Sequence, residues 1–251
     1  MEISAQLYTV REFTQNEEGI AKTLKKIKEL GYNSVQVSGF GQYRVEFLRD
    51  ELLKNELSVC ATHTALDRIL NDTDAVIKEH KMLSIPFVGL GYARFDSLRA
   101  VKEFLEKIKD AVDKIYDNGL KFLYHNHHFE FVMRDGVTPM QYMLEHTDAK
   151  KFGILADTYW LQYAGVNPVK FIDENADRLS VIHLKDMKVD EEFKHRFSVV
   201  GEGNMDFDGI IKSAIKAKVQ FSAVEQDDCY GEDPFDALGR SRKNIKERFG
   251  L

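Results

Sequence analysis

The chain has 251 residues, 43% of them hydrophobic and 30% charged, which suits a soluble globular protein and is too apolar for a disordered one. A formal charge of −6 opposes binding to nucleic acid, because a grip on phosphate backbones needs a concentrated basic surface. Two cysteines, Cys60 and Cys229, make a poor disulfide framework and favour a reducing cytoplasm; Met1-Glu2-Ile3-Ser4 shows no leader pattern, and no apolar run approaches the roughly 20 residues that span a bilayer.

In chain order, strands are expected at about 3–8, 34–38, 58–63, 87–90, 121–127, 153–157, 180–185 and 221–225. Helical patterns fill the gaps, at about 16–30, 43–55, 73–82, 97–116, 139–146, 168–175, 208–217 and 234–248. The clearest helix carries Val101, Phe104, Leu105, Ile108, Val112 and Ile115 at three- and four-residue steps, and Asn118-Gly119 stops it as a left-handed cap would. Strict alternation of eight strands with eight helices in this length predicts a (β/α)8 TIM barrel over 1–251 as a single domain. An open doubly wound sheet is the runner-up, weakened because no G-x-G-x-x-G follows the first strand.

In such a barrel the chemistry sits where strands end. The second strand ends Gln36-Val37-Ser38, the third Thr62-His63-Thr64, and the fifth His125-Asn126-His127-His128 with Glu130 just beyond. The sixth ends Asp157-Thr158 with Trp160 close behind, the seventh His183-Leu184-Lys185-Asp186, and the eighth Glu225-Gln226-Asp227. Side chains alternate along a strand, so His125, Asp157, His183 and Glu225 converge if their faces point inward. Such a mixture of imidazole and carboxylate suits Mn²⁺, Co²⁺, Zn²⁺ or Fe²⁺, whereas all-oxygen ligation suits Mg²⁺ better. Each residue alone has a blander reading: an aspartate after a strand caps the next helix, and 225–228 reads as a solvated acidic loop. Five of the eight histidines at strand ends favour a shared site. Lys185 is a general acid, an electrostatic clamp or a surface lysine. The long 187–206 segment, with His195, Arg196 and Gly201-Glu202-Gly203, reads as a lid or substrate clamp, or as plain turns.

The runs Ala156-Asp157-Thr158-Tyr159-Trp160, His183-Leu184-Lys185-Asp186, Val200-Gly201-Glu202-Gly203 and Val224-Glu225-Gln226-Asp227 resemble the sugar phosphate isomerase/epimerase group. That group belongs to the xylose-isomerase-like TIM-barrel superfamily, with inosose dehydratases, ketose 3-epimerases and endonuclease IV. The resemblance implies one divalent ion (Mn, Co, Zn, Fe or Mg) on residues ending strands five to eight. Carried over, Asp157, His183 and Glu225 are ligands. Many relatives place a glutamate where His125 stands, so the fifth-strand ligand is either Glu130, slightly favoured for its charge, or His125. The implied reaction is isomerisation or epimerisation of a sugar or sugar phosphate through an ene-diolate. Glu130 or Glu225 takes the α proton, and the other, or Lys185, returns it. His63, His127, Trp160, Gln36 and Arg196 are expected to bind the substrate. A dehydratase of a keto-sugar or keto-inositol is the alternative; an abasic-site phosphodiesterase and a non-catalytic barrel rank below it. The expected partner is a small carbohydrate, with neither nucleic acid nor membrane, and a homo-oligomer is compatible with the chain.

Overall fold

The computed structural model describes residues 1–251. Eight parallel strands close into a barrel: β1 (Glu2–Gln6), β2 (Ser34–Val37), β3 (Ser58–His63), β4 (Phe87–Leu90), β5 (Lys121–His125), β6 (Phe152–Asp157), β7 (Leu179–Leu184) and β10 (Phe221–Val224). β10 is hydrogen-bonded to β1 and β7, which completes the ring and leaves no exposed edge. The expected (β/α)8 barrel is the fold found. Between the strands lie α1 (Glu17–Glu29), α2 (Val45–Lys54), α3 (Leu66–Asn71), α4 (Thr73–Met82), α5 (Leu98–Asp117), α6 (Pro139–His146), α7 (Thr158–Tyr163), α8 (Pro168–Glu174), α9 (Phe207–Lys216) and α10 (Pro234–Phe249).

Local chemistry sets the helix ends. Asn16 and Ser97 accept the N–H groups of Gly19 and Ala100, which starts α1 and α5 with two otherwise unpaired donors satisfied. Gly119, at φ +79°, follows α5 in the left-handed region that the sequence pattern requires. The apolar stripe of α5 buries Val101, Phe104, Ile108, Val112 and Ile115 against the sheet. A small separate core of Cys60, Ala61, Phe87, Leu123, Leu155 and Val181 fills the barrel interior. The barrel is therefore a packed plug, and the polar strand ends are lifted onto one face above it.

The 187–206 segment departs from expectation. It forms an antiparallel hairpin, β8 (Asp186–Val189) and β9 (His195–Ser198), followed by a tight turn. The Asp186 carboxylate accepts the N–H groups of Gly201 and Gly203 at 3.0 Å and of Met187 at 2.7 Å. A Cβ on Gly203 would strike that carboxylate and the Met187 carbonyl. The two glycines thus hold the turn against Asp186, in keeping with the plain-turn reading.

Candidate active site

Asp157 ends β6 and works in two directions. Its Oδ1 accepts Trp160 N–H at 3.0 Å and caps α7, as the bland reading held. Its Oδ2 faces His125 Nε2 at 3.3 Å and His183 Nδ1 at 3.5 Å. A register shift between β6 and β7 sets Asp157 directly beside His183. Glu225, one residue past β10, brings Oε2 to 2.8 Å from His183 Nδ1. The ligating atoms of these four buried residues lie within 4.8 Å of one another.

The ring nitrogens are sorted by their outer partners. A carbonyl oxygen only accepts, so His125 Nδ1–H donates to the Gly91 carbonyl at 3.1 Å and His183 Nε2–H donates to Gln36 Oε1 at 2.9 Å. His125 Nε2 and His183 Nδ1 are left to face the carboxylates. This is the support that metal-binding imidazoles receive. His183 Nδ1 and Glu225 Oε2 are buried and face one another at 2.8 Å. Bonds of about 2.0–2.2 Å to a tetrahedral ion put ligand atoms about 3.3–3.6 Å apart. The pairwise distances above approach that spacing, and the two-nitrogen, two-oxygen donor set suits a borderline transition ion. The residues therefore fit a divalent cation. Burial alone would keep His183 uncharged, but Glu225 and Asp157 override it and raise its affinity for a proton; the same field would hold a cation.

Lys185 Nζ lies 2.7 Å from Glu225 Oε2 and 2.9 Å from both Asp157 Oδ2 and Asp227 Oδ1. Burial would strip its proton, yet the three acids raise its pKa well above the ordinary range. An ammonium held that firmly is a poor proton donor, and its burial rules out the reading of a surface lysine.

Glu130 is corrected by the structure. It sits fully buried in a 3-10 turn beyond β5, where Oε1 accepts Tyr124 Oη–H at 2.7 Å and Oε2 accepts His127 N–H at 2.8 Å. Tyr124 packs among the helices against Phe104, so Glu130 is turned to the outer side of the barrel, away from the four-donor cluster. His125, the alternative fifth-strand ligand, joins the cluster in place of Glu130, and Glu130 does not line the cavity above it. Burial pushes its carboxyl up to about 7.

A cavity of ≈ 460 Å³ opens over the cluster, lined in part by His63, His125, His127, Lys185, Glu225 and Asp227. His63 and His127 thus lie where expected. His63 Nδ1 is 3.1 Å from Ser38 Oγ, while its Nε2 is buried and unpartnered; burial first, then His125 and His183, push its pKa well down. Trp160 is outside the lining: its ring backs His127 and His128 at 5.6 and 5.0 Å. Gln36 is fully buried, bonded to His183 and outside the cavity lining. Arg196 pairs with Asp190 at 2.6 Å and lies over the Tyr230 ring, which ties down the hairpin and leaves it no part in the cavity. Asp227 and Ser38 stood among the polar strand ends without an assigned role, and Gly91 was not expected in the site. The signal for Asp227 and Ser38 was available, since each lies two residues beyond an inward-facing position. Gly91 is needed because a Cβ there would come within 2.8 Å of the His63 ring.

A family model, the xylose isomerase-like TIM barrel, matches residues 24–224. The chain belongs to that family. An inosose dehydratase of Clostridium beijerinckii is 30% identical over 155 residues, covering 54% of this chain and 50% of that protein. The chain spans about half the length of the curated relatives it matches. A sugar phosphate isomerase/epimerase of Parabacteroides distasonis superposes with a TM-score of 0.83 at 19% identity, covering 98% of this chain and 94% of that one. A xylose isomerase-like TIM-barrel protein of Mycobacterium smegmatis, solved with magnesium, superposes with a TM-score of 0.74 at 15% identity, covering 98% and 95%. At those identities the structural likenesses speak to the fold. No helix of this family member is long and apolar enough to cross a membrane.

Proposed function

We propose that the protein is a metal-dependent enzyme that removes the proton α to a carbonyl of a keto-sugar or keto-cyclitol and then expels a β-hydroxyl, a dehydration. The observation that carries this reading is one carboxylate outside the four-donor cluster, Asp227, beside that cluster in a shared cavity. Asp227 Oδ1 is held by Lys185, and Oδ2 takes no hydrogen bond. Burial, then the neighbouring Glu225 and Asp157 charges, raise its pKa from that of an ordinary aspartate, which makes it a better base than a free carboxylate.

A divalent cation held by His125, Asp157, His183 and Glu225 would polarise the carbonyl and stabilise the enolate charge. Asp227 accepts the α proton. Lys185 keeps the three acids together while that charge moves. His63 on β3 and His127 beyond β5 each stand three strands away from β10 around the ring, one on either side. A neutral imidazole N–H there donates a hydrogen bond to the departing hydroxyl, which leaves with the proton that Asp227 took up, and water and an enone result.

The names of the curated relatives support a dehydratase outcome. So does the loss of the second carboxylate: with Glu130 sealed away, the wall facing Asp227 offers imidazoles instead of an acid pair. Aldose–ketose isomerisation is the second reading, because one carboxylate suffices to carry a proton between adjacent carbons on one face.

Incubation of Mn²⁺- or Co²⁺-loaded protein with 2-keto-myo-inositol in deuterium oxide tests the proposal. Water loss with enone absorbance is expected. Deuterium at the α carbon without water loss would favour the isomerase reading. No exchange into that ketone or into free ketohexoses would overturn both. Asp227→Asn should lower the rate by about 10²–10⁴-fold while keeping the bound metal.

A further inference from the structure

We infer that the cavity selects an uncharged polyol and rejects its phosphate esters. This deepens the reading of the site as one for a keto-sugar or keto-cyclitol and rests on it. Three carboxylates, Asp157, Glu225 and Asp227, face one ammonium, Lys185, and leave two negative charges that a divalent cation cancels. That ammonium is the only Lys or Arg in the cavity lining, and all three acids hold it at 2.7–2.9 Å. A phosphate dianion placed beside it would compete with carboxylates already seated and would itself face unpaired acid oxygens. The remaining lining carries no further lysine or arginine and is made of hydroxyl, imidazole and apolar groups, among them Ser38, Thr64, His63 and His127.

Three of the arginines near the mouth are committed elsewhere. Arg68 makes a two-pronged pair with Glu79 at 2.8 and 3.0 Å. Arg196 is bound to Asp190. Arg11 lies over the Tyr8 ring and donates to the carbonyls of Tyr8 and Asp227. Arg94 is exposed after β4 and outside the lining. Neutral hydroxyls, by contrast, find partners within reach: the unpartnered His63 Nε2 and His127 Nδ1 are buried at the cavity wall. The chemistry on offer is hydrogen bonding to a polyol, with no cradle for a phosphoryl group.

The test pairs each free ketose with its ester, D-fructose with D-fructose 6-phosphate and D-xylulose with D-xylulose 5-phosphate. Metal-loaded protein is assayed for α-deuteration and for turnover. The free members should be favoured in kcat/KM by at least ~100-fold, or ~2.7 kcal/mol. An ester handled as well as its free partner would overturn the inference. Should neither member react, the functional reading fails alone and a second arm still decides the charge question. Chelated protein is melted with millimolar inorganic phosphate. An unmoved midpoint supports the inference, and a saturable rise overturns it.

Discussion

Replacing Gln36 with leucine separates the support of a ligand from the fold that carries it. Gln36 Oε1 accepts His183 Nε2–H at 2.9 Å, and both residues are fully buried. Leucine leaves that N–H without a partner, which costs about 1–3 kcal/mol. It also removes Gln36 Nε2, a buried amide nitrogen with no partner of its own, and this offsets part of the loss. The metal-free protein should therefore lose only about 1 kcal/mol in a denaturant titration. Metal affinity has no such offset, because the imidazole loses its orientation and its basicity; a fall of about 10–100-fold is expected. Competition against a chromophoric chelator, with Zn²⁺ and with Mn²⁺, measures it. Gln36→Leu with wild-type metal affinity would refute the reasoning, since His183 would then not be a ligand held by its second nitrogen.

Glu130 gives a pH signature. Its carboxyl is raised to about 7 in the fold from an ordinary value of 4.5, so between those values the folded chain binds more protons than the unfolded one. Its contribution is complete below about pH 4.5 and is lost as pH rises through 7. Glu130→Gln should remove that slope and gain stability over the parent by up to about 3 kcal/mol from pH 5 to 8; parallel stability–pH curves would count against it. Tyr124 can accommodate glutamine by turning its hydroxyl to the Ala93 carbonyl, 3.2 Å away. Gly91→Ala should displace the His63 ring and lower turnover by about 10²-fold while one metal per chain is retained; unchanged kinetics would show that His63 has no role in the reaction.

Much of this was legible in the sequence, for reasons that particular residues make plain. The three- and four-residue spacing on α5 and the stop at Gly119 reflect local physics, and both recur in the structure. The alternation rule placed His125, Asp157, His183 and Glu225 on one face, and the barrel turned that face inward. Short helices were missed: α3 and α7 have six residues each, too few to form without tertiary support, so no period announced them. The 186–198 hairpin and its turn depend on one carboxylate, Asp186, capturing amides up to 19 residues away, and spacing cannot reveal such a contact. Glu130 misled because charge was weighed and the direction of the chain beyond β5 was not. A buried tyrosine hydroxyl and an amide were enough to hold the acid on the far side of the strand.

A crystal soaked with Mn²⁺ or Zn²⁺ and measured at the metal edge addresses the central claim. The account predicts one anomalous peak per chain, about 2.0–2.3 Å from His125 Nε2, Asp157 Oδ2, His183 Nδ1 and Glu225 Oε2, with Glu130 still bonded to Tyr124. A peak elsewhere, a peak ligated by Glu130, or no peak at saturating metal would contradict it.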